Sequence, residues 1–229
     1  MTIFVLFSVI FLCTVFLAPF FKIARIDISG ISPLTGTQVQ GVCDTLVGKN
    51  INWYRLDKIS ETLAQFPYVH DAKVSRHFPN VLRVTITERE PMVQANISDL
   101  YFYIDDEGKI LEVSPNPLPS AIELRGITDI SVRSGGYFAD VNSQVYKNYT
   151  ELFKQLLQNN LIGSIIWVDL LDPLNMRFQL NGIAVQIGTT DKLDYKFTML
   201  TDIRKQLPSK VKGTLDLTNG AKSYFKEIY

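Results

Sequence analysis

The chain has 229 residues and a formal net charge of zero, with 23 basic and 23 acidic side chains. This balance, and the lack of a basic stripe or a metal-finger spacing, argues against the nucleic-acid-binding classes. The two cysteines, Cys13 and Cys43, lie in an apolar run and in a more polar segment, so they are not expected to pair and no disulfide scaffold is predicted.

The first predicted element is a transmembrane helix over residues 1–21, which contain no charged side chain. About 20 helical residues cross a hydrocarbon core of about 30 Å. A cleaved signal peptide is the alternative, but no small-x-small cleavage site follows the apolar run. Lys22 and Arg25 follow the span and no basic residue precedes it, which would place the rest of the chain inside. Long domains translocate regardless of such charges, and a basic tail upstream of Met1 would also remove the conflict, so the orientation stays open.

Two helices and three strands are predicted between the span and Pro91. Period-two alternation favours strands, whereas apolar residues at i, i+3, i+4 and i+7 favour helices. The predicted order is a strand over 21–29, helices over 35–47 and 56–66, and a hairpin within 66–92. In the hairpin Leu82, Val84 and Ile86 share one face, and Pro79-Asn80 supplies the turn. This order predicts a three-stranded sheet with two helices on one face, an α+β arrangement.

The second half is predicted to be a mixed α/β domain with a mainly antiparallel sheet. Asn181-Gly182 between two alternating segments is a strong hairpin signal. The predicted strands are 101–104, 109–113, 165–170, 175–180, 183–187, 214–217 and 222–228, and the predicted helices are 141–160 and 191–207.

The sequence lacks the motifs that carry catalysis or cofactor binding. It contains no Cys-x-x-Cys, His-Glu-x-x-His, Gly-x-Ser-x-Gly or phosphate-binding glycine loop, so no enzyme activity, cofactor or metal is predicted. A secreted enzyme of another chemistry is the disfavoured alternative. His70 and His77 are expected to face solvent on the first hairpin strand. The acidic run 105–107 is expected to be a charged hairpin tip rather than a cation site.

Four further residues each have two open interpretations. Trp53 and Tyr54 form either a contact patch or a lid over the small core. Arg76 either belongs to a family motif or lies on the polar face of its strand, and the same alternatives hold for Arg89.

Several segments carry a resemblance to a known family. The stretches IDISG, GKNINWYRL and FPYVHDAKVSRHFPNVLRVTITEREP, with the motif matched from Val69 to Pro91, resemble the polypeptide-transport-associated (POTRA) domain of the bacterial FtsQ/DivIB division proteins. The resemblance implies a transmembrane helix over 1–21, a POTRA domain over 22–91 and an FtsQ-type β domain over 92–229. A POTRA-containing transport or outer-membrane assembly component is the alternative, although such proteins usually carry several POTRA units.

The resemblance also implies a function and a location. The family members are non-enzymatic divisome scaffolds that bind FtsB- and FtsL-type proteins and other divisome membrane proteins, and help coordinate septal cell-wall synthesis. They are single-pass proteins of the cytoplasmic membrane, in contact with lipid through the span, with the large part extracytoplasmic. No nucleic acid or small-molecule substrate is expected as a partner.

The predicted partner-binding surface is the last strand, because an edge strand offers unpaired backbone groups to a second chain. Phe225 stands where an aromatic residue of the family contacts the partner, whereas Thr218 replaces the family's usual arginine. The alternative is that these aromatic residues close the domain's own core. The predicted surface comprises Leu215, Leu217, Gly220, Tyr224, Phe225, Lys226 and Ile228.

Overall fold

The computed structural model describes residues 5, 19–127, 134–208, 211–219 and 223–227. The chain divides into two compact units, with the boundary between Arg89 and Glu90. The predicted transmembrane helix lies almost wholly outside the described residues, and within the described ranges no helix combines the length and apolar character needed to cross a bilayer. A short 3-10 turn, Pro19–Phe21, leads into the first unit.

The first unit has the predicted strand-helix-helix-strand-strand order. Its elements are β1 (Arg25–Ser29), α1 (Pro33–Asp44), α2 (Leu56–Leu63), β2 (Val69–His77) and β3 (Val81–Glu88). The three strands form one sheet in the order β1-β3-β2, with β1 parallel and β2 antiparallel to β3. The predicted turn joins β2 and β3 at residues 78–80. The α+β prediction for this unit is therefore confirmed.

Alternation along β3 builds the core of the first unit. Leu82, Val84 and Ile86 are buried, while Arg83 and Thr85 between them are exposed. The buried face packs against the apolar sides of the two helices, which supply Val39, Cys43, Ile59 and Leu63. The period-two pattern that predicted this hairpin is thus the pattern that the core requires.

Gly30 ends β1 at a point where the backbone has no room for a side chain. Its φ is +79°, and a Cβ there would lie 2.0 Å from the carbonyl oxygen of Ile86 on β3. Gly48, after α1, has nearly the same φ of +80° but nothing within 4 Å of an added Cβ. Both glycines adopt a positive φ that a residue with a Cβ adopts only at a cost, but only at Gly30 would the added Cβ also clash with a neighbouring atom.

Cys43 is a free, buried thiol of α1. Desolvation by burial, assisted by the neighbouring charge of Asp44, raises the pKa of the Cys43 thiol from 9.0 to about 11. The unfolded chain therefore releases this proton at a lower pH than the folded unit does. Between pH 9 and 11 the unfolded state binds fewer protons, so stability falls as the pH rises.

We expect the free energy of unfolding of the first unit to drop by up to about 2 kcal/mol across this pH window because of Cys43. Cys43→Ala lacks the titrating group, so the pH slope of its stability is expected to be shallower than that of the wild type. Urea denaturation followed by far-ultraviolet circular dichroism at a series of pH values measures both slopes. Equal slopes for the two proteins would contradict the assignment.

The second unit is built on one large mixed sheet. Its strands are β4 (Val93–Ile97), β5 (Leu100–Ile104), β6 (Ile110–Ser114), β7 (Ile122–Arg125), β8 (Ile165–Asp169), β9 (Met176–Leu180), β10 (Ile183–Gly188), β11 (Gly213–Asp216) and β12 (Tyr224–Glu227), and its helices are α3 (Gln144–Gln158) and α4 (Leu193–Gln206). The sheet order is β12-β11-β10-β9-β8-β7-β4-β5-β6. Five of the eight pairings are antiparallel, as predicted for this half, and three are parallel.

Helix α3 supplies the centre of the second core. Ser143 caps its first turn, because the Ser143 Oγ accepts a hydrogen bond of 3.2 Å from the Tyr146 N–H. The fully buried Tyr149 ring stacks on Phe153 with centroids 4.3 Å apart and lies 4.8 Å from the ring of Phe138. Its hydroxyl donates to the carbonyl oxygen of Asp105 at 2.5 Å, and burial raises the pKa of this phenol well above its ordinary value. The helix thus fixes the β5–β6 turn to the core.

Candidate functional site

Strand β12 lies at one edge of the nine-stranded sheet. It pairs in antiparallel register with β11, from Gly213 opposite Glu227 to Asp216 opposite Tyr224. Across the parts of the chain that the structure describes, no further strand pairs with its outer side. A sheet edge of this kind presents backbone N–H and C=O groups to an incoming strand.

The hydrogen bonds of β11 identify which backbone groups of β12 point outward. The Gly213 N–H donates to the Gly182 carbonyl, and the Leu217 N–H donates to the Gln186 carbonyl. The backbone groups of the odd-numbered residues in this segment therefore point toward β10. The backbone groups of the even-numbered residues, Thr214 and Asp216, therefore form hydrogen bonds with β12, where they lie opposite residues 226 and 224. Phe225 and Glu227 consequently direct their N–H and C=O groups away from the sheet.

The side chains of β12 divide between the two faces of the sheet. Phe225 is half-buried and packs against the core of the second unit, and its ring occupies the space that a Cβ at Gly213 would need, 2.7 Å from the Phe225 Cζ. Tyr224 is 63% exposed, and Lys226 and Glu227 are also exposed. Phe225 thus helps to close its own core, whereas Tyr224 and Lys226 are accessible.

The other predicted contact residues are placed differently. Leu215 and Leu217 are each only 1% exposed and belong to the core, so their side chains hold β11 in place and face no partner directly. Gly220 and Ile228 lie outside the described residues. Glu227, which the sequence did not single out, is one of the two residues whose backbone N–H and C=O groups face outward. Only the hydrogen-bond pattern of β11 identifies it.

The opposite edge of the sheet, β6, is partly covered. The Ile110 N–H donates to the Gly136 carbonyl and the Gly135 N–H donates to the Ile110 carbonyl, each at 2.7 Å. The Ser134 hydroxyl donates to the Leu111 carbonyl, also at 2.7 Å. The segment after residue 133 therefore occupies backbone groups on β6, which makes β12 the more accessible edge.

The acidic run at the β5–β6 turn differs from its prediction at one residue. Asp106 and Glu107 are exposed as expected for a charged tip, but Asp105 is 1% exposed. The Asp105 Oδ1 accepts hydrogen bonds from the N–H groups of Glu107 at 3.0 Å and Lys109 at 2.7 Å. The Asp105 carboxylate therefore stabilises the turn. No group of three potential metal ligands occurs among the residues described.

A cleft of about 330 Å³ lies in the second unit between the end of β8 and the start of β9. Arg177 donates to the Asp169 carboxylate at 2.8 Å, and that carboxylate also accepts a bond from the Leu171 N–H. The charges of Asp169 and Arg177 in the wall of this cleft are thus already paired with each other.

Arg76 has a structural role in the first unit. Its Nε donates to the Ile51 carbonyl at 2.9 Å and its Nη2 donates to the Tyr54 carbonyl at 2.5 Å. These bonds tie the loop before α2 to strand β2. Tyr54 packs against the small core, as the lid alternative predicts, whereas Trp53 is 72% exposed.

His70 and His77 are exposed on β2, as predicted. Lys196 of α4 was not anticipated by the sequence: it is 2% exposed, and its Nζ donates to the carbonyls of Ile187 and Thr189 at 2.8 and 2.9 Å. Burial lowers the pKa of this amine. Its position, three residues after Leu193 and four before Leu200, is the signal that would have placed it on the buried face.

Comparison with known proteins agrees with this architecture. Residues 21–89 match the family model described as "POTRA domain, FtsQ-type", which ends at the boundary between the two units. The cell division protein DivIB of Clostridium botulinum (strain Hall) is 26% identical over 204 residues, covering 87% of this chain and 79% of the relative. DivIB of Clostridium acetobutylicum is 25% identical over 207 residues, covering 87% and 80%.

The cell division protein FtsQ of Geotalea daltonii is 31% identical over 93 residues, which cover 41% of this chain and 34% of the relative. The DivIB matches therefore extend through both units, whereas this FtsQ match covers a smaller part. The resemblance of the sequence to the FtsQ/DivIB family is thereby confirmed: the first unit carries a POTRA domain of the FtsQ type, in a chain that is similar to DivIB cell division proteins over most of its length.

Proposed function

We propose that this protein is a non-enzymatic scaffold of the bacterial division machinery. Residues 1–21 anchor it as a single span in the cytoplasmic membrane, and the POTRA domain over 22–91 and the β domain over 92–229 lie outside the cytoplasm. It links FtsB- and FtsL-type membrane proteins and so helps to coordinate septal wall synthesis. The observation that supports this proposal most is an accessible sheet edge at β12 in a chain similar to DivIB over 87% of its length.

The proposed mechanism is addition of a partner strand to β12. The outward N–H and C=O groups of Phe225 and Glu227 would continue the hydrogen-bond ladder. Each added backbone bond contributes about 1 kcal/mol net. Tyr224 and Lys226 on the accessible face would contact alternate side chains of the partner, and tyrosine is among the residue types enriched at binding hot spots. Backbone pairing thus provides affinity, and these side chains select the partner.

Glu227→Pro is expected to weaken binding of the FtsB/FtsL-type proteins of the same bacterium at least tenfold, a loss of about 1.4 kcal/mol or more. Proline removes the outward N–H and places its ring where the partner strand would lie, whereas the bonds between β11 and β12 use residues 224 and 226. Glu227→Ala is the matched control: it removes the same carboxylate but keeps the N–H, so its affinity is expected to stay near that of the wild type. Biolayer interferometry with the purified full chain in detergent measures both.

Hydrogen exchange of the β11 amides in the Glu227→Pro protein shows whether the sheet edge is still formed. A proline variant with protected β11 amides and unchanged affinity would contradict strand addition at β12. Tyr224→Ala serves as a second test, because its exposed ring makes a direct side-chain contribution that can be lost without disturbing the core.

The transport alternative shares the POTRA domain and differs in cellular position. A fluorescently tagged full chain is expected to concentrate at midcell in dividing cells if it acts in the divisome. An even distribution around the membrane would favour the transport alternative over the division role.

A further inference from the structure

Exposed aromatic rings cluster at the end of the first unit where the chain enters from residue 19. Phe20, Trp53 and Phe78 are 63%, 72% and 64% exposed. We call these three residues, together with Lys22 and Lys49, the entry patch. Large aromatic side chains left in water together indicate a surface that contacts an apolar or amphipathic environment.

Backbone hydrogen bonds hold the entry patch together. The Ile51 N–H donates to the Phe21 carbonyl, and the Ile23 N–H donates to the Lys49 carbonyl, each at 2.8 Å. The Ala24 N–H donates to the Asn80 carbonyl, also at 2.8 Å. These bonds join the entering chain to the loop before α2 and to the β2–β3 turn, so the three segments form one platform.

Two rings of the patch, those of Phe20 and Phe78, are in contact through Phe21. Its centroid lies 5.6 Å from that of Phe20 and 6.5 Å from that of Phe78, both in edge-to-face arrangements. This geometry is the one that aromatic quadrupoles favour. The aromatic side of the patch is therefore an ordered surface on the folded unit.

The basic side of the patch lines a cleft of about 260 Å³. Lys22, Lys49 and Trp53 contribute to its wall, and the side chains that line it include no acidic residue. The Lys49 Nζ lies 5.7 Å from the centroid of the Tyr54 ring. The cleft thus combines two positive charges with an exposed indole, a combination suited to a negatively charged, amphipathic surface.

We propose that the entry patch docks the first unit onto the anionic headgroups of the membrane in which the chain is anchored. This inference rests on the proposed anchor over residues 1–21. Three residues span at most about 10 Å, so Phe21 lies within that distance of residue 18 in the apolar run. The headgroup region of each leaflet is about 5–8 Å thick, which places the patch at the level of the interface.

The chemistry of the patch matches what such an interface binds. Tryptophan is enriched at this depth, where its ring contacts the upper acyl chains while its N–H reaches water or headgroups. Basic side chains near an anionic surface are attracted across about one Debye length, roughly 8–10 Å at physiological salt. Docking would hold the POTRA unit at a defined orientation to the bilayer, instead of leaving it to pivot on the span.

Fluorescence of Trp53 tests the inference in the full chain reconstituted into nanodiscs. A Trp167→Phe background makes Trp53 the sole tryptophan. In discs of phosphatidylcholine and phosphatidylglycerol, we expect Trp53 to be quenched by brominated acyl chains and shielded from aqueous iodide. Replacing both Lys22 and Lys49 by glutamine is expected to lower the docking equilibrium constant roughly tenfold to thirtyfold.

Lys58→Gln with Lys73→Gln is the matched control, because it removes two exposed lysines of the same unit outside the patch. Its quenching is expected to equal that of the parent protein. Unquenched, iodide-accessible Trp53 in a chain that has entered the nanodiscs would overturn docking while leaving the anchor in place. A chain that does not enter the nanodiscs would overturn both. Shielding of Trp53 that appears only after the FtsB/FtsL-type proteins are added would assign the patch to a protein and overturn the lipid interface.

Discussion

Gly30→Ala is expected to destabilise the first unit by more than about 3 kcal/mol, a large part of the stability of a small domain. The positive φ of +79° costs about 1–2 kcal/mol for a residue with a Cβ. The larger part is steric, because the added carbon would lie 2.0 Å from the backbone oxygen of Ile86, and a carbonyl within a sheet cannot move aside as a flexible side chain can. Relief would require β1 and β3 to separate where Ser29 pairs with Thr85.

Gly48→Ala separates the two contributions. Gly48 has a φ of +80° and open space around it, so its replacement is expected to cost only the conformational part, about 1–2 kcal/mol. Hydrogen exchange of the β1 and β3 amides gives the unfolding free energy of the first unit in each variant. Similar losses in the two variants would show that the contact with Ile86 relaxes at little cost.

Tyr149→Ala is expected to destabilise the second unit by about 4 kcal/mol. The substitution leaves a cavity between Phe138 and Phe153, in a core where the phenol is fully buried. It also leaves the Asp105 carbonyl without this donor. Tyr149→Phe keeps the ring and removes the hydroxyl, so about 1–2 kcal/mol is expected for that change.

Tyr146→Phe is the control for the hydroxyl. The Tyr146 hydroxyl donates to the Glu107 carbonyl at 2.9 Å in an exposed setting, so its loss is expected to cost under about 0.5 kcal/mol, since water can replace it. Urea denaturation followed by Trp167 fluorescence in a Trp53→Phe background measures the set. If the two phenylalanine variants lost the same free energy, burial would not be what makes the Tyr149 bond important.

The first unit was predictable because its signals are local. The alternation in β2 and β3, the Pro79-Asn80 turn and the amphipathic pattern of α2 each determine an element without reference to the rest of the chain. Element boundaries were less accurate, and α1 begins at Pro33 and ends at Asp44, not at residues 35 and 47. Proline at the first helical position explains the earlier start.

Strands β4 and β7 were missed because each is short and shows only a weak alternation of apolar residues. Val93 and Ala95 are the buried positions of β4, and Ile122 and Leu124 are those of β7. Two apolar residues in alternation are too weak a pattern to indicate a strand. Strand β7 joins the sheet through parallel pairings with β4 and β8, which no hairpin turn signals, whereas β4 also forms an antiparallel hairpin with β5.

The candidate site was predictable in its location and not in its detail. The apolar and aromatic composition after Gly213 indicated a terminal strand, and the structure places that strand at an edge. Phe225 packs inward and Tyr224 is exposed, and this difference depends on the register of β12 with β11. The outward direction of the Glu227 backbone groups also depends on this register, because hydrogen-bond pairing, and not residue type, determines it.

The parallel pairing of β1 with β3 has a mechanical consequence. The chain enters the unit at the start of β1 and leaves it at the end of β3, and five residue pairs connect the two strands from Arg25–Val81 to Ser29–Thr85. Because the strands run in the same direction, pulling on these two ends slides them past one another. The hydrogen bonds then carry the load together in shear, whereas an antiparallel pair pulled from one end would unzip bond by bond. Tension between the residue 19 side and the second unit would therefore be resisted by the whole strand pair.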